Sequence, residues 1–92
     1  MITKKLNISG HVQGVAYRAW MVQRATQLSV WGWVRNCADG SVEALVHGPE
    51  ELVEELVIDC NLGPGLATIE KIDITDAEYD GSVGFAMKPS TS

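Results

Sequence analysis

Gly10-His11-Val12-Gln13-Gly14-Val15-Ala16-Tyr17-Arg18 gathers residue types suited to gripping an anion. Two glycines bracket the loop, so its backbone can turn tightly and bring amide N–H groups against a ligand without a Cβ between them. The run follows a strand-like segment, Lys5-Leu6-Asn7-Ile8, and leads into a helix-like one that begins near Tyr17. A glycine-bearing turn that feeds a helix N-terminus collects orphan N–H groups where the helix dipole also favours negative charge. Arg18 falls in the first turn of that helix, where the dipole weakly repels a cation. Its position makes sense if the guanidinium serves a bound anion through two parallel hydrogen bonds. Taken alone, a Gly-x3-Gly loop with one arginine is more often a plain strand-to-helix turn.

Other chemistries find less support. Ser9 and Ser41 have no histidine and acid arranged for nucleophilic catalysis. His11 and His47 have no metal-ligand partner at useful spacing, and Cys37 and Cys60 are too far apart to suggest a metal site. No metal and no cofactor are therefore expected. The glutamates Glu50, Glu51, Glu54 and Glu55 read as the solvated face of a helix, because nothing apolar surrounds them to raise a carboxyl pKa.

The elements that must hold the loop can be read from periodicity. Leu6 and Ile8 alternate with polar residues and predict a first strand over about residues 3–9. Tyr17, Met21, Ala25 and Leu28 recur at helical spacing and predict a helix over about 17–28 with that stripe buried. Residues 30–36, rich in β-branched and aromatic side chains, predict a second strand. Asp39-Gly40 supplies a tight hairpin turn into a third strand over about 41–47. Trp31, Trp33 and Arg35 share one side of the second strand and are expected to pack rather than bind.

Pro49 and the acids after it open a second helix, which buries Leu52, Val53, Leu56, Val57 and Cys60 and stops at Asn61-Leu62-Gly63-Pro64-Gly65. Residues 69–75 predict a fourth strand, Asp80-Gly81 a turn, and Val83, Phe85 and Met87 a last strand closing a final hairpin. Pro89-Ser90-Thr91-Ser92 reads as a frayed tail. The order β-α-β-β-α-β plus a short final strand is that of an α+β, ferredoxin-like α/β sandwich. Its antiparallel sheet would carry two helices on one face, in a single domain over residues 1–92.

Charge narrows the ligand. Residues 1–36 hold Lys4, Lys5, Arg18, Arg24 and Arg35 and no acid, whereas residues 37–92 hold Lys71 and Lys88 against all twelve acids. The net charge of −5 argues against nonspecific nucleic-acid binding, which depends on neutralising phosphates. The first and third strands also lack the aromatics on which ferredoxin-like RNA binders stack bases. The anion loop nonetheless lies in the basic part, which suits a small anionic ligand. No apolar run is long enough to cross a bilayer, and the N-terminus lacks the apolar core of a signal peptide, so a cytoplasmic protein with free thiols and no membrane association is expected.

A second stretch, Gly32-Trp33-Val34-Arg35-Asn36-Cys37-Ala38-Asp39-Gly40-Ser41-Val42, strengthens the case for the loop. The two stretches together resemble the acylphosphatase family, whose motifs run Gly-x-Val-Gln-Gly-Val-x-Phe/Tyr-Arg and Gly-Trp/Tyr/Phe-Val-x-Asn-x3-Gly-x-Val. Every fixed position is matched, in order, and the similar layout runs over most of the chain. The resemblance implies hydrolysis of acylphosphates to carboxylate and inorganic phosphate. It assigns catalysis to Arg18 and Asn36, and phosphate binding to Gln13, Gly14, Val15, Ala16, Tyr17 and Arg18. The ligands it implies are an acylphosphate substrate and inorganic phosphate as product or inhibitor, acting on a monomer. Arg35 stands at a position often basic in the family and is expected to give no more than electrostatic support. The rival reading is a non-catalytic phosphate- or anion-binding module.

Overall fold

The computed structural model describes residues 1–90. In chain order the elements are β1 (Ile2–His11), α1 (Tyr17–Gln27), β2 (Trp31–Asn36), β3 (Val42–Gly48), α2 (Glu50–Leu62), β4 (Thr68–Asp76) and β5 (Phe85–Met87). They form a five-stranded sheet in the order β4-β1-β3-β2-β5. Strands β1, β3, β2 and β4 pair antiparallel, as the ferredoxin-like pattern requires. Both helices lie on one face, α1 over β2 and β5, α2 over β3 and β4.

The core follows the two periodicities in the sequence. Leu6 and Ile8 of β1, Val34 of β2 and Ala44 and Val46 of β3 point to the helices and are buried. The helices answer with Tyr17, Met21 and Ala25 on one side and Val53, Leu56 and Cys60 on the other. Each such apolar side chain contributes about 1.5–3 kcal/mol when fully withdrawn from water. Polar ties join the two helices as well, since Arg24 of α1 donates through Nε to Asp59 of α2 at 2.5 Å. The tyrosine hydroxyl of Tyr17 donates to the carbonyl of Cys60 at 2.8 Å, so its burial leaves no polar atom stranded.

The last strand departs from the expected final hairpin, and the sheet is mixed rather than wholly antiparallel. Instead of folding back on β4, the chain crosses the sheet and lays β5 parallel to β2 at the opposite edge. Gly32 N–H donates to the Gly84 carbonyl and Lys88 N–H to that of Val34, which satisfies backbone groups on the outer side of β2. Val83 is exposed and lies outside the strand; Phe85 alone of the expected trio is buried. Asp80-Gly81 marks a bend in the crossing segment. There Asp80 accepts from the Ser82 amide and hydroxyl, which hold its carboxyl down at about 2.

That crossing segment covers the face of the sheet that has no helices. Trp33 and Leu45 point to this face yet are only 6% and 4% exposed. Trp33 Nε1 donates to Asp80 at 3.0 Å, and Tyr79 stacks on His47 at 3.7 Å. The Arg35 and Lys88 cations sit over the Trp33 ring, 4.8 and 4.6 Å from its centroid. Trp33 is thus packed, as its alternation suggested, whereas Trp31 at the start of β2 is exposed. Of the expected tail, Pro89 and Ser90 are exposed, and Thr91 and Ser92 lie outside the described residues.

Candidate active site

β1 and β2 run in the same direction because each is antiparallel to β3 between them. Their C-terminal ends therefore meet at one end of the sheet. Ile8, Val42 and Asn36 lie side by side across β1, β3 and β2, so Asn36 ends β2 at the same end of the sheet from which the loop leaves β1, with β3 between them. The parallel β5 ends on this side too, with Met87 beside Val34.

Within the loop, two residues take left-handed backbone conformations, Gly14 at φ 75° and Ala16 at φ 63°. A Cβ on Gly14 would meet nothing within 4 Å, so the glycine is there for its backbone freedom and not for space. Gly10 differs. It sits at a register shift between β1 and β4 with φ 129°, and a Cβ there would come within 2.1 Å of the Thr68 carbonyl oxygen. It lets the strand bulge as it enters the loop.

Ala16 is the N-cap of α1, and no side chain caps the helix; its first turn carries no acidic residue. The first N–H groups of α1 have no partner within the helix and open onto the loop. The second helix is different, with Glu50 and Glu51 in its own first turn. The turn at the start of α1 borders a small cavity of about 140 Å³ lined by Gly14, Ala16, Tyr17, Arg18, Ala19 and Met87, with Val12 beneath. A volume so far below the roughly 300–1,000 Å³ of a drug-sized ligand site suits a small polar group.

Arg18 is half-buried on the wall of this cavity. Arg24 is committed to Asp59 and Glu55, and Arg35 to Glu43. No described carboxylate lies within ion-pair distance of Arg18, which leaves its guanidinium for a ligand. Among the described residues, no three His, Cys, Asp or Glu side chains converge as a metal-binding group.

The structure thus brings the expected residues 13–18 and Asn36 to the same end of the sheet. It also gives Gln13 a second task. The Gln13 carboxamide donates to the carbonyl oxygens of Cys37 and Ser41, at 2.8 and 2.9 Å, and so pins the loop to the β2–β3 turn beside Asn36. That turn is itself fixed by Asp39, which accepts from the Ser41 amide and hydroxyl and is held below the usual carboxylate range by them. Sequence alone could offer only the backbone amide of Gln13. The two carbonyls also accept from the Gly40 and Cys37 amides, so removing the carboxamide strands neither and costs the net worth of the lost hydrogen bonds, about 0.5–1.5 kcal/mol each. Gln13→Ala is expected to lower the midpoint of urea unfolding and to raise KM for the anionic ligand; no change in either would overturn this tie.

The remaining candidates fall away from the site. His47 faces the opposite end of the sheet, where it shares a 2.6 Å hydrogen bond with the Thr3 hydroxyl under the Tyr79 ring. His11 is an exposed strand-end residue. Burial pushes the Tyr17 hydroxyl up and the Cys60 thiol up to about 12, so both stay protonated and neither is a nucleophile. Both cysteines are free. No helix of the described residues is long and apolar enough to cross a membrane.

Fold and site together define a small ferredoxin-like domain with a small cavity, walled in part by Arg18, at the start of its first helix. The family model of acylphosphatases matches residues 4–87. An acylphosphatase of Rhodospirillum rubrum is 49% identical over 90 residues, covering 98% of this chain and 99% of its own length. One from Acidiphilium cryptum is 51% identical over 88 residues, covering 96% and 97%. The crystal structure of acylphosphatase from Bacillus subtilis superposes with a TM-score of 0.92 at 29% identity, covering 96% of this chain and 99% of that one. The chain belongs to the acylphosphatase family.

Proposed function

We infer that this chain is an acylphosphatase: it hydrolyses the carboxyl–phosphate bond of acylphosphates, with Arg18 and the loop amides holding the phosphoryl group and Asn36 directing water onto it. Enzyme class follows from family membership. The observation that carries the site assignment is the small cavity where a helix start without a side-chain cap meets Arg18, which pairs with no described carboxylate, at the sheet end that also bears Asn36.

Phosphoryl transfer asks the protein mostly for positioning and charge stabilisation. The guanidinium of Arg18 takes two phosphoryl oxygens, and the amides of residues 13–17 face the third. The Asn36 carboxamide can accept from water and donate to a phosphoryl oxygen at once, which sets the water for in-line attack. As the new P–O bond forms, the bond to the acyl oxygen breaks and its electron pair leaves with the carboxylate. The proton of the attacking water passes to a phosphoryl oxygen of the substrate. No strong protein base is needed, because a carboxylate whose parent acid has a pKa of about 4 leaves without protonation.

Metal-independent action by a cytoplasmic monomer completes this reading; the two free thiols are compatible with a reducing compartment. The test is turnover of a chromogenic acylphosphate followed by its absorbance, with and without a chelator. Turnover is expected at the same rate in both, with inorganic phosphate inhibiting competitively. Absence of turnover would leave a phosphate-binding module instead, and loss on chelation would overturn the metal-free mechanism.

A further inference from the structure

We propose that Met87 determines which acyl groups the enzyme prefers, favouring aromatic and bulky apolar ones. The inference rests on the phosphoryl-binding role of the cradle given above. A cavity of about 140 Å³ accommodates the phosphoryl end of the substrate and little more, so the acyl group must lie across the rim. Among the lining residues, Val12 and Tyr17 are buried in the core and cannot reach outward. Gly14, Ala16 and Ala19 are exposed but offer at most one methyl each. Arg18 is engaged with phosphate on this reading. Met87 remains: 46% exposed, on the edge strand, with a long thioether chain.

The backbone position is fixed by β2. Met87 stands beside Val34 in the parallel β2–β5 pair, and Lys88 N–H is bonded to the Val34 carbonyl. The backbone is therefore held, while the side chain is partly exposed at the rim. A thioether is well suited to such a rim, because it adapts its shape and makes favourable sulfur–aromatic contacts of about 0.3–1.5 kcal/mol. An acetyl group presents too little surface to gain from it. Among the described residues lining the cavity, the one charged side chain is Arg18, which is engaged with phosphate on this reading. Lys88, the nearest cation in sequence, is drawn over the Trp33 ring on the other face of the sheet, close to Asp80.

The discriminating quantity is the ratio of kcat/KM for benzoyl phosphate to that for acetyl phosphate, measured on the intact chain. Met87→Ala is expected to lower this ratio about fivefold, and Met87→Leu to preserve most of it. A purely structural role for Met87 would depress both substrates together and leave the ratio where it was; that result would overturn the proposal. So would an unaltered ratio in a variant of unaltered stability. Failure of the underlying reading is separable, since Arg18→Ala would then leave hydrolysis of both substrates intact in the otherwise unmodified enzyme.

Discussion

Arg18→Ala should lower kcat/KM for an acylphosphate by about 10³-fold or more while leaving the unfolding midpoint nearly where it was. The size follows from the kind of interaction lost. Removing one preorganised donor to a developing oxyanion costs about 10²–10³ in rate, and removing an arginine from a phosphoryl group costs about 10³–10⁵. The guanidinium lines the cavity and holds no described carboxylate, so its removal breaks no ion pair among the described residues. Substitutions of that kind usually stay within about 0.5 kcal/mol of the parent stability.

Arg18→Lys sharpens the test. It keeps the charge but loses the planar fork, so rates should recover only in part. Phosphate should also cease to raise the thermal midpoint of Arg18→Ala, because stabilisation by a ligand scales with its affinity for the folded state. Arg24 offers the matching control. Its guanidinium joins α1 to α2 through Asp59 and Glu55, so Arg24→Ala should affect stability more than rate. A reversal of these two patterns would remove Arg18 from the chemistry.

Much of the scaffold was legible because β1 and both helices each bury one stripe. Leu6 and Ile8 at period two, and Tyr17, Met21 and Ala25 at helical spacing, could satisfy themselves only by facing one another. The direction of the sheet then brought Asn36 and residues 13–18 to a common end, a consequence of β3 lying antiparallel to both neighbours. The path of the last strand was not legible. Asp80-Gly81 has the composition of a hairpin turn, and nothing local distinguishes such a turn from a bend in a longer crossing. What decides it is distant: Trp33, 47 residues earlier, presents an indole N–H to Asp80, and the outer side of β2 lacks a partner until β5 arrives. The same non-local logic hid Met87 from the site, since a strand must first be placed on the far edge before its side chain can border the cradle. Gln13 was placed in the site for its amide; that its carboxamide spans to the next hairpin depends on a turn geometry set by Asp39 and Ser41.

Asn36→Ala should separate catalysis from binding. If the carboxamide directs water and the phosphoryl group is held by Arg18 and the loop amides, kcat falls by about 10²-fold while the inhibition constant for inorganic phosphate moves by no more than about twofold. The expectation comes from where binding energy is realised: an interaction made only as water attacks appears in kcat, and one made equally with bound phosphate appears in affinity. Asn36 ends β2 opposite Val42 and is half-buried, so part of any loss could stem from loosening of the strand end. Combining it with Gln13→Ala tells these effects apart. Gln13 acts on the same strand end through Cys37 and Ser41, so a shared structural cause would make the two losses in kcat/KM overlap instead of multiply. Independent multiplication, with phosphate inhibition preserved in Asn36→Ala, is the outcome required of a water-directing amide. Equal losses in kcat and in phosphate affinity would make Asn36 one more hand on the phosphoryl group and would leave the attacking water to be steered by the substrate itself.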